Sequence, residues 1–160
     1  MSDDAHSPVT RFRAPVRLDY TVHAGAITGA FLQHVLEGRL VGRRCARCGQ
    51  VYIPQRSICP TCAVPTTDEV EVGPNGTVHT FSVVRFPFEG QRLEPPYACA
   101  HVHLDGADSP LLHIVGNLDV DQVRRGLRVR PVWSDEQVPS LARVLYFEPS
   151  GEPDVAVEGL

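Results

Sequence analysis

Three regimes of hydrophobic patterning follow one another along the chain. Residues 1 to about 18 show no periodicity, are polar and carry proline, and are expected to form a flexible tail over 1–18 that orders only against a partner. Helical spacing follows. Ile27, Ala30, Phe31, His34 and Val35 fall at i, i+3, i+4, i+7 and i+8, and Gly38 stands where a C-cap glycine belongs, so the spacing predicts a helix over about 24–37. After a cysteine-rich stretch the period changes to 2. Strand-like runs appear at 69–72 (EVEV), 77–86, 97–104, 111–116, 127–133 and 141–149, separated by turn residues. LDVDQVRRG reads as a short helix capped by Asp119 or Asp121. Such a series predicts a small closed or nearly closed β-barrel, for which the OB-fold is the best match in size and strand number. Alternation puts Ala98, Ala100, Val102 and Leu104 inward on one strand, and Leu127, Val129 and Trp133 inward on another. The expected layout is a tail at 1–18, helix and cysteine segment at 19–66, barrel at 67–150 and an acidic C-terminal tail at 151–160.

Composition alters this picture little. Of 160 residues, 42% are hydrophobic and 21% charged, as in a globular protein, and the length suits one ordinary domain or two small ones. The net charge is −4 and all fifteen basic residues are arginine, which gives little support to general polyanion binding. Two arginine groups stand out: Arg39, Arg43, Arg44, Arg47 and Arg56 around the cysteines, and Arg124, Arg125, Arg128 and Arg130 near the end. A solvated face or a protein interface is the commoner use of either, although each could meet a few phosphates. No run of about 18 apolar residues is present, and MSDDAHSPVTRFRAP lacks the apolar stretch of a secretion signal, so a cytoplasmic protein with no membrane contact is expected. There thiols stay reduced, and clustered cysteines are metal ligands more often than disulfides.

The cysteines carry the chemistry. CARCGQVYIPQRSICPTC holds Cys45-x2-Cys48, ten residues, then Cys59-x2-Cys62. Each tight Cys-x-x-Cys turn lets two thiolates reach one ion, and two such knuckles close a tetrahedral site of four sulfurs. Gly49 supplies the positive φ that ends the first knuckle. With every ligand local, no coordination position stays open, and a closed site is structural rather than catalytic. A ribbon this small cannot offset its own chain entropy, whereas a structural zinc contributes on the order of 10–16 kcal/mol of apparent binding free energy. Zinc is the expected metal; iron in the same four sulfurs, as in a rubredoxin-like electron carrier, is the alternative.

Elsewhere the residues read as structural. Cys99 fits a small hydrophobe in a strand. Tyr97, Cys99, His101 and His103 share the face opposite the apolar one, and a register pairing 103 with 113 would make His103 and His113 cross-strand neighbours able to bind metal or exchange protons. A half-solvated or partner-facing surface is the plainer account. Asp105 and Asp108 read as turn formers. No Gly-rich phosphate loop, nucleophile elbow or HExxH helix occurs, so no catalytic residues are assigned.

The order helix, four-cysteine ribbon and barrel, with GRLVGRRCARCGQVYIPQRSICPTC, VGPNGTVHTFSVV, PPYACAHVHLDGAD, GLRVRPVW and FEP, resembles the zinc-ribbon OB-fold proteins that accompany thiolase-like enzymes in acyl-CoA metabolism. The resemblance covers about residues 20 to 149. It implies a mainly β protein: an N-terminal helix, a rubredoxin-like ribbon with structural zinc on Cys45, Cys48, Cys59 and Cys62, and a C-terminal OB-fold. It further implies an accessory subunit in a hetero-oligomer with a thiolase-like, sterol-carrier-type thiolase or aldolase partner, and in some cases a hydratase. Such a subunit orders the partner's active site or shapes an acyl-CoA channel, in steroid side-chain breakdown among other settings, and a coenzyme A thioester would then be shared with the partner. Two other uses of these parts are a single-stranded nucleic-acid-binding OB-fold module and the iron electron carrier. The first wants a basic groove with stacked aromatics, which a net charge of −4 and 7% aromatics do not favour.

Overall fold

The structure, a computed structural model, describes residues 10–157. The part of the expected N-terminal tail before residue 10 lies outside the described residues, as do 158–160. Residues 10–24 have no regular secondary structure and are exposed.

Helix α1 spans Gly25–Leu36. Ala24 at its N-cap makes no side-chain cap, and at 12 residues the helix is too short to be stable alone. What holds it is burial of Phe31 and Val35 in the main core, with Ile27, Ala30 and His34 half-buried beside them. Its end follows the expectation. Gly38 takes φ +75°, its N–H donates to the Val35 carbonyl, and the Arg39 N–H donates to that of His34, a Schellman termination.

Strands β1 (Val41–Cys45), β2 (Val51–Tyr52) and β3 (Thr66–Glu71) form an antiparallel sheet in the order β2-β1-β3. The run expected at 69–72 is therefore longer and differently partnered. It pairs with β1 from Val41↔Glu71 to Cys45↔Thr66, so the ribbon sheet extends past the boundary expected at 66/67. The physical reason is the pairing itself: β3 covers the edge of β1 that β2 leaves open.

The other five strands, β4 (Gly76–Val84), β5 (Tyr97–Leu104), β6 (Leu111–Val115), β7 (Arg128–Trp133) and β8 (Val144–Pro149), close a barrel in the order β4-β5-β6-β8-β7. Closure is completed by parallel pairing of β6 with β8 at Val115↔Phe147. The inward faces are those expected: Ala98, Ala100, Val102, Leu104, Leu127 and Val129 are buried, and Trp133 packs on the core half-buried. LDVDQVRRG holds a single 3-10 turn, Val120–Gln122, with Asp119 accepting from the Asp121 N–H. The run expected at 141–149 divides into a 3-10 turn, Leu141–Arg143, and β8.

Residues 151–157 lack regular structure but are fastened down. The Val155 N–H donates to the Gly126 carbonyl at 2.9 Å, and a Cβ on Gly126 would stand 2.3 Å from the Val155 carbonyl oxygen, so the segment crosses where only glycine leaves room. Arg124 pairs with Asp154 in two hydrogen bonds, and Arg128 reaches Glu152 at 2.7 Å. Arg128, its side chain only 11% exposed, also takes Asp105 bidentately at 2.6 and 2.7 Å and donates to the Thr77 hydroxyl. That guanidinium holds the Asp105 and Glu152 carboxyls below their ordinary pKa values.

Candidate metal centre

The two knuckles are built alike. In the first, the Cys45 N–H donates to the Gln50 carbonyl and the Gly49 N–H to that of Cys45; in the second, Cys59 donates to Val64 and Ala63 to Cys59. Gly49 (φ +78°) and Ala63 (φ +54°) occupy the equivalent left-handed position. The second knuckle thus uses a residue with a Cβ where the first uses glycine.

This repetition brings all four predicted cysteines together, their Sγ atoms within 4.8 Å of one another and Cys48 Sγ 3.7 Å from Cys59 Sγ. Thiolates at about 2.3 Å from a tetrahedral zinc stand about 3.8 Å apart, so the cage has the right size. Backbone N–H groups of Arg47 and Cys62 donate to Cys45 Sγ and Cys59 Sγ, both at 3.4 Å. The Tyr52 hydroxyl lies 3.3 Å from Cys59 Sγ and 2.6 Å from Gln50 Oε1. Burial acts to raise the Cys59 thiol, yet Tyr52 and the backbone N–H groups of Cys62 and Thr61 bring it down to about 6. Burial and the adjacent Cys48 and Cys59 sulfurs push Cys62 up to about 12. Four thiols here have too few donors to ionise together, which is the electrostatic problem a dication removes.

The ribbon is clamped to the barrel by the loop between β5 and β6. Asp108 Oδ2 accepts from the Val51 N–H at 2.7 Å, and the Asp108 N–H donates to the Val51 carbonyl at 2.8 Å. Ser109 Oγ accepts from the Ile53 N–H at 2.8 Å and donates to its carbonyl at 3.0 Å. Asp105, Asp108 and Ser109 therefore act beyond their own turn. A separate polar joint, between α1 and the ribbon, lies at Glu69, which accepts from Gln55 Nε2 at 3.1 Å and meets His34 Nε2 at 3.0 Å; these partners lower its pKa. Apolar packing runs across both joints, with Phe31, Val35, Val51, Ile53, Val72 and Leu104 in one continuous core.

The histidines are not brought together as the 103–113 register would have done. His113 stands opposite Ala100, whose side chain faces inward, and His103 stands opposite Thr77. A three-residue shift in register accounts for this, since β5 and β6 pair as Val102↔Leu111, and an odd shift also moves His113 to the other face of the sheet. His113 packs edge-on against Phe147, 5.7 Å between ring centres, and burial lowers its pKa. His103 instead stacks at 4.8 Å on His79, and burial and that neighbour lower it. The second arginine group is largely neutralised within the fold, as Arg124, Arg128 and Arg130 each pair with an acid. In the first group, Arg39 pairs with Glu71, Arg43 donates to the Thr66 carbonyl and Arg44 to that of Gly49; Arg47 and Arg56 are exposed, as are Arg39 and Arg44.

Known proteins share this frame. The family model described as ChsH2, rubredoxin-like zinc ribbon domain, matches residues 33–68, and that described as ChsH2, C-terminal OB-fold domain, matches residues 69–134. A DUF35 domain-containing scaffold protein of Methanothermobacter thermautotrophicus is 32% identical over 95 residues, covering 59% of this chain and 71% of that protein. The chain belongs to the DUF35 family. Another DUF35 domain-containing scaffold protein, from Methanocaldococcus jannaschii, is 39% identical over 67 residues, 41% of this chain; the match spans about half, 48%, of that relative's length. A probable enoyl-CoA hydratase alpha subunit of Thermomonospora curvata is 32% identical over 95 residues, 59% of this DUF35 chain and 29% of that protein. Among solved structures, the Ltp2-ChsH2(DUF35) aldolase superposes with a TM-score of 0.61 at 26% identity, covering 77% of this chain and 94% of that one. Among the described residues, no helix of this DUF35 chain is long and apolar enough to cross a membrane.

Proposed function

We propose that this DUF35 chain is the non-catalytic accessory subunit of a thiolase-like complex acting on acyl-CoA thioesters, where it orders the partner's active site or shapes the acyl-CoA channel. The observation that carries this reading is the superposition on the Ltp2-ChsH2(DUF35) aldolase, which takes in 94% of that chain. Relatives named as scaffold proteins and a hydratase-named relative point the same way. Cys45, Cys48, Cys59 and Cys62 hold one structural zinc, which cross-links the two knuckles and leaves no position for substrate. The partner, a thiolase-superfamily or sterol-carrier-type enzyme, supplies the reacting groups.

The chain's own residues position rather than react. Asp108 and Ser109 fix the ribbon's angle to the barrel, and Arg47 and Arg56 remain exposed beside it, able to meet a partner's acids or the phosphates of a shared coenzyme A. The test is co-expression of the tagged chain with each thiolase-like protein of the same genome. One of them is expected to co-purify and to gain acyl-CoA thiolysis or retro-aldol activity over the partner alone; if none does, the proposal fails. Metal analysis with a visible spectrum is expected to give one zinc and no thiolate-to-iron band; such a band would favour the electron carrier instead.

A further inference from the structure

Residues 16–23, VRLDYTVH, alternate strictly: Val16, Leu18, Tyr20 and Val22 on one side, Arg17, Asp19, Thr21 and His23 on the other. This is the period of a strand with one buried face, yet the four apolar side chains are 80%, 76%, 77% and 71% exposed. Within the described residues, no backbone hydrogen bond outside helices and strands involves this segment, and it belongs to no sheet. It therefore combines an apolar face without cover in the fold with a row of peptide groups that no other strand of the described residues pairs. Pro15 and Gly25 bound it, the latter opening α1.

We propose that residues 16–23 form a strand added to an exposed sheet edge of the thiolase-like partner, with Val16, Leu18, Tyr20 and Val22 seated in an apolar groove beside that edge. This rests on the reading given under Proposed function. A second copy of the chain is the poorer host. Its barrel is closed, β2 is two residues long, and β3 carries Asp68, Glu69 and Glu71, a short or charged edge of the kind that discourages pairing. The segment is also placed beside another exposed apolar element: Arg13 pairs with Glu89 at 3.5 Å, in the loop that presents Phe86 at 83% and Phe88 at 63% exposure. A partner that receives the strand thus has an apolar loop to cover at its near end.

The test uses the full-length chain co-expressed with its co-purifying thiolase-like protein, with amide hydrogen exchange read on the free chain and on the complex. The expected result is protection of amides 16–23 only in the complex. L18D and Y20D are each expected to weaken association on the order of 10- to 100-fold, while D19S and T21S leave it unchanged and all four keep the free chain's metal content and unfolding temperature. If the wild-type pair forms but 16–23 stays unprotected, or L18D binds as wild type does, the strand is overturned and the subunit reading stands. If no pair forms, both fall. Sedimentation of the chain alone supplies the remaining arm: a dimer lost in L18D would make a second copy the host and overturn the proposal.

Discussion

The barrel and the knuckle end of the ribbon differ in what keeps each folded. Five strands close around Val78, Val102, Val129, Val144 and Phe147, all essentially fully buried. At the knuckles the buried cluster is Cys45, Tyr52 and Cys59, with Cys62 and Val64 packed beside it. Three of those five are proposed metal ligands, so the same side chains would be both core and cross-link. The comparison teaches where metal dependence is to be expected, at the knuckle end, while α1 and the near part of the ribbon share the barrel's core.

The sharpest way to break that comparison is to remove the metal. Cys59→Ser, or a strong chelator, forfeits metal-derived stabilisation on the order of 10 kcal/mol. Hydrogen exchange is expected to show amides 45–64 unprotected while the barrel strands stay protected; simultaneous loss in β5 and β6 would show one cooperative unit instead. The converse is Phe147→Ala. It should cost about 3–5 kcal/mol of barrel stability, read as a lower thermal midpoint, with the metal content of the folded protein unchanged.

Both ends were legible in the sequence to different degrees. Cys45, Cys48, Cys59 and Cys62 were readable because their spacing is itself the constraint, and alternation along β5 exposed its inward face because a strand's period is 2. What could not be read was every statement that joins distant segments. Asp108 looks like a turn residue in LDGAD, and nothing local says that its carboxylate accepts from Val51, 57 positions away. The placement of His113 failed for the same reason, since register is set by the whole sheet. The acidic residues after Gly151 read as a tail, but Asp154 and Glu152 meet arginines 30 and 24 positions away.

The joint between the regions sharpens the comparison at smaller scale. Asp108→Ala leaves the buried Val51 N–H without its acceptor and is expected to cost about 1–3 kcal/mol. Faster exchange at Val51 and Ile53 with unaltered metal content would place the cost at the joint; metal loss would place it at the knuckles. The smallest effects test the knuckles against each other. Gly49→Ala should cost roughly 1 kcal/mol in chelator-induced unfolding, as L-residues resist this backbone conformation. Ala63→Gly should stabilise by less than about 1 kcal/mol, since relief of that conformation is offset in part by greater freedom of the unfolded chain.

The Asp108–Ser109 clamp has a mechanical meaning. It fastens β2 to the turn that joins β5 to β6, so ribbon and barrel form a lever with a stiff elbow rather than two beads on a string. With the barrel closed, ribbon and β5–β6 hairpin keep one orientation, so a partner gripping the ribbon would also fix the direction of the outward row Tyr97, Cys99 and His101. The direction of that distant face then follows the direction of the knuckles.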